Sequence, residues 1–363
     1  MKAAVLNEIN GKFEIEDIEI DTPKKREVLV AVKASGLCHS DLHMSEGDFG
    51  VPLPAVFGHE LAGIVEAIGP DVREFKVGDH VVASLVQYCG HCEACLDGRT
   101  YQCAHPAETL RDTADGQRLT RNGKPVTAVF GTAAFAEYSL VHENQLVKVP
   151  DALPFPQASI LGCGCVTGAG AAINTANVRP GDTVAVIGVG GVGLNVISGA
   201  RLAGAARIIA IDMQPAKEKL ARQFGATDFI DAGKGDAVEL VRALTKGGVD
   251  HAFEVIGLKA TSHQAIKMAR LGGGAYLIGL HKVGATIEVD VLDDLITRQV
   301  IVRGVYMGSS NIKHDIPMYA ELYLQGRFNL DDLISKEIKL SEINVAYEEL
   351  KKGEIARSVI TSF

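Results

Sequence analysis

The chain has 363 residues, 47% hydrophobic and 22% charged, with a formal net charge of -9 at pH 7. This length suggests two domains rather than one core, and the composition is typical of a soluble globular protein. The negative charge argues against nucleic acid or an anionic membrane as a partner, because both attract basic surfaces.

No targeting segment is predicted. The first twenty residues carry charges too early for a signal peptide. The longest weakly polar region, residues 184–211, is interrupted by Asn195, Arg201, Arg207 and several glycines, unlike a membrane span. Seven cysteines without an export signal indicate a reducing compartment, where thiols bind metals rather than each other. The sequence therefore predicts a cytoplasmic protein.

The first 160 or so residues are predicted to be rich in β-strands. Short β-branched runs at residues 27–37, 60–69 and 80–86 are separated by glycine and charged turns. From about Arg179 the pattern changes to short apolar runs separated by helix-length segments. Strands that alternate with helices imply βαβ units and a parallel sheet. The tail after about Gly304 is mixed, with a helix predicted near residues 343–352.

Four thiols fall within fifteen positions: Cys89, Cys92, Cys95 and Cys103. Four thiolates around a tetrahedral cation form a closed zinc site that leaves no position for a substrate. A disulfide pair, an iron–sulfur cluster and a redox Cys-x-x-Cys motif are the alternatives, and the spacing and soft ligands favour zinc. This cysteine loop is therefore expected to stabilise the fold, with the chemistry elsewhere.

Residues 188–193 fit the Gly-x-Gly-x-x-Gly motif of dinucleotide-binding turns. The motif follows a predicted strand and opens a predicted helix, which suits a pyrophosphate at the helix N-terminus. The residues expected to bind the cofactor there are Gly188, Gly190, Gly191, Val192 and Gly193.

Asp212 ends the next predicted strand, where an acid accepts hydrogen bonds from the adenosine ribose hydroxyls. A helix cap ahead of Pro215 is the alternative role, and both can coexist. An acid repels a 2′-phosphate, and Met213 and Gln214 offer no arginine to receive one. NAD is therefore favoured over NADP.

Two thiols outside the cysteine loop, Cys38 and Cys163, flank His59 in the sequence. Their separation is too large for spacing alone to establish a site, and a single buried cysteine or histidine is more often a packing residue. As a set, two thiolates and an imidazole around zinc leave one tetrahedral position open, as a catalytic metal requires.

Together these motifs resemble zinc-dependent medium-chain alcohol dehydrogenases. Gly58-His59-Glu60, the cysteine loop, the run at 38–43, the run at 161–164, the glycine motif and the Asp212 strand end occur in that family's order. The resemblance runs nearly end to end, including the C-terminal run at 353–363. It is nearest to the liver-type subgroup, which has a long segment like residues 103–131.

The resemblance implies an α/β architecture with three parts. Residues 1–164 would form a GroES-like, β-rich catalytic domain with the zinc sites. Residues 165–306 would form a Rossmann domain that binds NAD on a doubly wound parallel sheet, and residues 307–363 would return to the catalytic domain. In the liver-type enzymes the strand near residues 300–308 joins two Rossmann sheets, so a homodimer is expected, with a homotetramer as the alternative.

The resemblance also assigns the catalytic metal. Cys38, His59 and Cys163 would bind a catalytic zinc, making two zinc ions per chain, and Asp41 would orient His59. Glu60 would stand behind the metal, either as a transient ligand or as a buried, hydrogen-bonded carboxylate.

The reaction implied is interconversion of a primary alcohol and its aldehyde by hydride transfer to nicotinamide. Ser40 and His43 match the family's proton relay, which runs from the alcohol through the Ser40 hydroxyl and a cofactor ribose hydroxyl to His43. Cys165 matches no role and is expected to be a packing residue.

Further residues match the family's cofactor contacts. Arg357 corresponds to a pyrophosphate contact, Lys217 to an adenosine-ribose contact and Thr167 to a residue near the nicotinamide. His39 stands where liver enzymes often place arginine against the pyrophosphate. Because histidine is charged only below a pKa of about 6.5, a weaker hold on the cofactor and faster release are expected.

The substrate is the least defined part of this interpretation. The residues matched to the substrate pocket are mostly apolar, which suggests an aliphatic or aromatic alcohol: Leu85, Val129, Phe130, Leu280 and Tyr306. A glutathione-linked formaldehyde dehydrogenase is an alternative that Glu46, Asp48 and Arg111 keep open. A nicotinoprotein with permanently bound NAD is another. A catalytically silent NAD- or zinc-binding protein is disfavoured, because binding alone needs neither an open metal site nor a relay.

Overall fold

The computed structural model describes residues 1–353 and 356–363. Glu354 and Ile355, in the C-terminal run of the family resemblance, lie outside the described residues. The chain divides into two compact units, residues 1–163 with 311–363 and residues 164–310. No single helix in the described ranges is long and apolar enough to cross a membrane, although the bent pair Phe155–Gly162 and Gly164–Thr175 meets the length and composition limits together.

The strands are numbered in chain order: β1 (Lys2–Leu6), β2 (Phe13–Asp17), β3 (Glu19–Ile20), β4 (Glu27–Gly36), β5 (Ala55–Val56), β6 (Glu60–Ile68), β7 (His80–Ala83), β8 (Leu119–Arg121), β9 (Lys124–Ala128), β10 (Tyr138–His142), β11 (Leu146–Lys148), β12 (Thr183–Ile187), β13 (Arg207–Asp212), β14 (Asp228–Asp231), β15 (Val249–Glu254), β16 (Ala269–Leu277), β17 (Ile301–Gly304), β18 (Ile334–Lys339) and β19 (Arg357–Ser362). The α-helices are α1 (His39–Glu46), α2 (Glu93–Leu96), α3 (Phe155–Ser159), α4 (Gly164–Gly170), α5 (Gly191–Leu202), α6 (Glu218–Phe224), α7 (Ala237–Thr245), α8 (Lys259–Met268), α9 (Ile312–Leu324) and α10 (Ile343–Lys351). Shorter turns of 3-10 and π helix join them, including Ile160–Gly162, Ala171–Thr175 and Val291–Thr297.

The first unit contains two sheets built mainly from antiparallel pairs. One has the strand order β2-β1-β5-β9-β8-β3, and the other has the order β11-β7-β6-β4-β19-β18 with β10 also paired to β4. Strands β4 and β6 are mostly buried, which explains why their sequences are β-branched rather than strictly alternating. Strand β19 pairs with the end of β4, so the C-terminal tail completes the sheet that leads into Cys38.

A buried aromatic cluster lies in the core of this unit. Phe13 stacks on Tyr347 at 5.7 Å between ring centroids and meets Phe57 and Phe135 edge-on at 5.8 and 6.0 Å. Such pairs contribute about 0.5–1.5 kcal/mol each beyond the area that they bury. The cluster joins helix α10, which carries Tyr347, to the segment that ends in Gly58 and His59.

The second unit is a parallel sheet with the order β14-β13-β12-β15-β16-β17. Every neighbouring pair in it is parallel, and helices separate most successive strands. This order is the doubly wound dinucleotide-binding arrangement, with its first strand at the centre. The predicted fold class is confirmed.

One predicted strand was too long. The run at 80–86 was expected to be extended throughout, but β7 ends at Ala83. Beyond it the Ser84 amide still donates to the Gln145 carbonyl at 2.9 Å, but the Val86 amide donates locally to the Ser84 hydroxyl oxygen at 3.4 Å.

A buried histidine at the end of β10 makes stability depend on pH. The Nδ1 of His142 accepts a hydrogen bond from the Asn144 amide at 3.1 Å. Burial, followed by the charges of Arg26 and Arg118, lowers the pKa of His142 to about 4. The unfolded chain, with an ordinary pKa near 6.5, therefore takes up the proton first as pH falls, so stability is lost from about pH 6.5 down to about pH 4.

We expect His142→Asn, whose side-chain oxygen can keep the bond to Asn144, to reduce this loss. Between pH 6.5 and 5 the wild-type free energy of unfolding should fall by about 2 kcal/mol more than that of the variant. Urea unfolding at both pH values measures the difference. Parallel losses in the two proteins would contradict the assignment.

Candidate functional site

Helix α1 and the residue before it carry five of the predicted site residues. Cys38 is the residue that caps its N-terminus, and Asp41 lies in its first turn, fully buried. Ser40 and His43 are partly exposed and three positions apart, so they share a face of the helix. His39 is exposed, and its ring lies 6.2 Å from that of His43. The side chains of Cys38 and Asp41 are therefore buried, whereas those of Ser40 and His43 are partly exposed.

Two thiols, an imidazole and a carboxylate meet inside the first unit. Ligand atoms of Cys38, His59, Glu60 and Cys163 all lie within 4.8 Å of one another, and all four residues are buried. The Nε2 of His59 lies 3.3 Å from the sulfur of Cys163. A hydrogen bond from Cys163 is the main cause that holds the pKa of Cys38 well below the usual thiol range, which favours a thiolate. The cluster has the donor atoms of a transition-metal site.

Asp41 fixes the ring of His59. Its Oδ1 accepts hydrogen bonds from the Gly58 amide and from Nδ1 of His59, both at 3.1 Å. With Nδ1 as the donor, Nε2 is left facing the cluster. Burial opposes protonation of His59, but the charges of Asp41 and Cys38 outweigh it and raise the pKa of the ring well above its usual value. The same charges make the imidazole a stronger metal ligand.

Gly58 allows this approach. Its φ is +93°, and a Cβ built on it would lie 2.6 Å from the ring of Phe135. Any larger residue would therefore be strained both by its backbone conformation and by this contact. The glycine brings the chain close enough for its amide to reach Asp41.

Glu60 and Arg357 form a buried ion pair in the same unit. Oε1 of Glu60 lies 3.0 Å from Nη2 of Arg357, and Nη1 of Arg357 donates to the Leu37 carbonyl at 3.2 Å. Burial raises the pKa of Glu60 to about 7, with Arg357 opposing the rise. The resemblance placed Arg357 against a pyrophosphate; in the structure its side chain is 4% exposed and neutralises the acid behind the metal cluster.

The cysteine loop converges on one point. The sulfur of Cys95 lies 3.9 Å from that of Cys89 and 3.5 Å from that of Cys92, and Cys92 lies 4.0 Å from Cys103. These distances exclude disulfides, whose sulfurs are about 2.05 Å apart. A tetrahedral zinc with bonds of about 2.3 Å places its sulfurs about 3.8 Å apart, which these separations match.

Backbone amides also point at these sulfurs. The amides of Cys89 and His105 donate to the sulfur of Cys103 at 3.2 and 3.3 Å, and the amide of Cys92 donates to Cys89 at 3.4 Å. Amide bonds, first among them that of Ala104, lower the pKa of Cys92 to about 6. Amide donors of this kind stabilise thiolates and so suit a bound cation, whereas burial raises the pKa of Cys95 to about 12.

In the second unit the glycine motif forms the turn from β12 to α5. Gly188 has a φ of +100°, and a Cβ on Gly193 would lie 1.9 Å from the Gly188 carbonyl oxygen. The turn is therefore closed by glycines at both places, and helix α5 begins at Gly191. Its N-terminal amides suit a phosphate.

Asp212 ties this turn to the next strand. Its Oδ2 accepts from the Val189 amide at 2.8 Å and from Nζ of Lys217 at 3.0 Å, while Oδ1 accepts from the Gln214 amide at 3.0 Å. The alternative role of Asp212 as a helix cap ahead of Pro215 is not seen, because Gln214 is the N-cap of the short helix there, although Asp212 does bond to the Gln214 amide. Thr167, in α4, donates to the sulfur of Met307 at 3.5 Å.

Sequence reasoning missed Glu254, a buried acid at the end of β15. Its Oε1 accepts from the amides of Ile256 and Gly257 at 2.8 and 2.7 Å and from the Thr261 hydroxyl at 2.8 Å. These bonds fix a loop whose Ile256 side chain lies against Gly188. The acid in the middle of the otherwise apolar run 252–256 was the available signal.

The residues matched to the substrate pocket fall into both units. Leu85 and Val129 are buried in the first unit, while Leu280 and Tyr306 are exposed residues of the second. The half-buried ring of Phe130 meets His59 edge-on, with centroids 5.3 Å apart. Among the residues matched to the substrate pocket, Phe130 therefore lies beside the Cys38–His59–Cys163 cluster.

Two of the three charged residues that kept the glutathione-linked alternative open, Arg111 and Glu46, are paired within the fold. The Arg111 side chain is 5% exposed and is engaged by Glu27 and by Asp21, the latter at 2.6 Å. Glu46 pairs with Lys351 at 2.7 Å. Arg111 therefore stabilises the fold near the first strands instead of binding a ligand.

Comparisons with known proteins agree with this geometry. Residues 24–151 match the alcohol dehydrogenase GroES-like domain, and residues 191–325 match the zinc-binding dehydrogenase domain. The chain is 38% identical to alcohol dehydrogenase class-3 of Drosophila melanogaster and 37% identical to geraniol dehydrogenase of Castellaniella defragrans, in each case over 99% of this chain and 97% of the relative.

A solved structure is similar over the whole chain. The crystal structure of benzyl alcohol dehydrogenase from Acinetobacter calcoaceticus matches with a TM-score of 0.94 and 37% identity, covering 100% of this chain and 99% of that one. The predicted resemblance is confirmed. The chain belongs to the zinc-dependent medium-chain alcohol dehydrogenases and is an oxidoreductase of that kind.

Proposed function

We propose that the enzyme interconverts a primary alcohol and its aldehyde with NAD as the hydride carrier. The observation that carries this proposal is the buried convergence of Cys38, His59 and Cys163, with Asp41 orienting the imidazole. The named substrates of two relatives, geraniol and benzyl alcohol, are primary alcohols with apolar bodies. Apolar residues such as Leu85, Val129 and Phe130 suit a substrate of that class.

The donor set fits a catalytic zinc. Two thiolates and one imidazole leave a tetrahedral zinc with one open position, and Glu60 is near enough to act as a further, transient ligand. A zinc ion held there polarises the alcohol or carbonyl oxygen and makes the hydroxyl proton far more acidic. With four thiolates in the cysteine loop, the chain is proposed to hold two zinc ions.

The protein's own residues move the proton and hold the cofactor. Oxidation would release a hydride, which a bound nicotinamide would accept, and a proton, which the Ser40 hydroxyl would pass, with a cofactor ribose hydroxyl between them, to His43. His43 is partly exposed, so it can release the proton to water.

Most of the proposed cofactor contacts lie in the second unit, which contains the parallel sheet. The glycine motif would bind the pyrophosphate, and Asp212 with Lys217 would bind the adenosine ribose. Thr167 would pack near the nicotinamide, and His39 would contact the pyrophosphate; the ion pair of Arg357 with Glu60 makes its predicted pyrophosphate contact the weakest of these assignments. On this basis residues 1–164 and 307–363 form the catalytic domain and residues 165–306 the NAD-binding domain.

A homodimer, with a tetramer as the alternative, is proposed from the free edge of the parallel sheet. Strand β17 ends the strand order, and Ile301 in it is 58% exposed. Such an edge pairs readily with a second copy. A cytoplasmic location is proposed because none of the seven cysteines forms a disulfide, and thiols that bind metals persist best in a reducing compartment. Light scattering of the purified protein gives the oligomeric state.

The two metal sets should respond differently to loss of one thiol. Cys95→Ser should lower the zinc content by one ion and the melting temperature by several degrees, because the loop loses the cation that closes it. Cys163→Ser should also lose one zinc ion but abolish turnover while retaining most of the thermal stability. Elemental analysis, calorimetry and an NADH absorbance assay measure these effects.

Cys165→Ser is the matched control, since this buried cysteine lies in neither metal set. It should keep both zinc ions. A wild-type zinc content of one ion per chain, or a Cys163→Ser variant with normal turnover, would refute the assignment.

The relay predicts a large effect at Ser40. Ser40→Ala should keep both zinc ions and lower kcat roughly 10²- to 10⁴-fold, the range typical for loss of a positioned proton carrier. Ser45→Ala, on the same helix but bonded to the Leu42 carbonyl at 2.8 Å, is the control for helix damage and should keep near-normal turnover. Near-normal kcat in Ser40→Ala would remove this serine from the relay.

Asp212 should determine the choice of cofactor. Asp212→Gly removes the ribose acceptor and the repulsion of a 2′-phosphate, so KM for NAD should rise while KM for NADP falls. Asp231→Gly, at the equivalent end of the neighbouring strand β14, is the control and should leave the ratio unchanged. This role would be contradicted if the kcat/KM for NAD, divided by that for NADP, were the same in wild type and in Asp212→Gly.

A further inference from the structure

Two buried polar atoms near the Cys38–His59–Cys163 cluster have unmet hydrogen-bonding capacity. The hydroxyl of Tyr347 and Oδ2 of Asp41 are buried, and among the described residues neither has a hydrogen-bond partner. Tyr347 is 3% exposed and Asp41 is 0% exposed. Leaving such groups unpaired is costly, so a partner outside the protein chain is expected for each.

The two groups are complementary. Burial, followed by the negative charges of Asp41, Cys38 and Glu60, raises the pKa of the Tyr347 hydroxyl well above its usual value, so the group remains a hydrogen-bond donor. Oδ2 of Asp41 is a carboxylate oxygen, which needs a donor, because the two bonds from Gly58 and His59 both reach Oδ1. The Tyr347 hydroxyl can thus donate a hydrogen bond, and Oδ2 of Asp41, whose charge acts on that hydroxyl, can accept one.

The packing places them in one region. Tyr347 belongs to the same buried core as Leu37, Leu42 and Phe57, which directly precede or follow Cys38, Asp41 and Gly58 in the sequence. The Tyr347 ring also lies 6.4 Å from that of Phe135, the ring on which Gly58 rests. Helix α10 therefore reaches the segments that hold Asp41 and His59 from the C-terminal end of the chain.

We propose that a buried water molecule joins the hydroxyl of Tyr347 to Oδ2 of Asp41, which makes Tyr347 a positioning residue for the imidazole of His59. The two oxygens form no hydrogen bond with each other, and a water placed between them would satisfy both. The water donates to Asp41 and accepts from Tyr347, so the carboxylate is held from both sides. This role rests on the proposed catalytic metal set, because it acts through His59.

Tyr347→Phe tests the proposal with little change in shape. If the hydroxyl is unpaired, its removal should leave the melting temperature unchanged or higher. The proposal requires the opposite: a lower melting temperature and zinc release to a chelator that is roughly three- to tenfold faster, below the 10- to 100-fold typical of groups that contact a ligand directly. Each zinc ion should be released to the chelator in its own kinetic phase. The phase that is absent in Cys163→Ser belongs to the ion bound by Cys163. In the cobalt-substituted protein the visible bands should shift.

Tyr319→Phe is the matched control. Tyr319 is a fully buried tyrosine of the same unit, in α9 and stacked on Phe328 at 5.1 Å. Its replacement should leave zinc release and the cobalt spectrum unchanged. Unaltered zinc release and an unaltered spectrum in Tyr347→Phe would overturn this inference alone, whereas a wild-type protein without zinc at Cys163 would overturn the proposed function.

A double-mutant cycle locates the path of the effect. If Tyr347 acts only through Asp41, adding Tyr347→Phe to Asp41→Ala should not accelerate zinc release further. Additive effects would overturn the proposal. A high-resolution crystal structure is an independent test. The proposal requires a water within hydrogen-bond distance of both oxygens, and a structure without one would overturn it.

Discussion

The site depends on one carboxylate oxygen. Oδ1 of Asp41 accepts hydrogen bonds from the Gly58 amide and the His59 ring, which joins helix α1 to the loop before β6. All the groups involved are buried, so water does not compete for these bonds and they are stronger than at the surface. The bonds set the direction of the imidazole, and Cys38 at the start of the same helix is placed by the same contact. Without these two hydrogen bonds, helix α1 and the loop that carries His59 would not be fixed relative to each other.

Burial of so much charge is tolerated because each group has a partner. Glu60 is held by Arg357, and His59 is held by Asp41. A buried ion pair contributes little net stability, since desolvation offsets most of the attraction, but breaking one leaves a charge uncompensated. The pairs are therefore better understood as devices that fix geometry around a metal. The cysteine loop follows the opposite design, because four converging cysteine sulfurs, with amides donating to them, leave no place for a substrate.

Sequence patterns predicted much of this arrangement, and their failures have physical causes. The glycine motif and the spacing of the thiols are local, so the turn after β12 and the cysteine loop could be read directly. The meeting of Cys38 with Cys163 depends on long-range packing, and only the family resemblance predicted it. The pairing of Arg357 with Glu60, the water-linked role of Tyr347 and the loop held by Glu254 depend on buried contacts between distant strands and helices, which leave no periodic trace. Strand β7 was predicted too long: past Ser84 the Val86 amide bonds to the Ser84 hydroxyl, a local contact that β-propensity does not reveal.

The central claim is that the metal-site cysteines divide into a closed set of four and an open pair completed by His59. Anomalous diffraction at the zinc absorption edge, measured on crystals of the zinc-loaded protein, tests this division most directly. The account predicts two peaks per chain, one surrounded by Cys89, Cys92, Cys95 and Cys103 and one bonded to Cys38, His59 and Cys163. A single peak in the cysteine loop, or a second peak without a bond to His59, would contradict it.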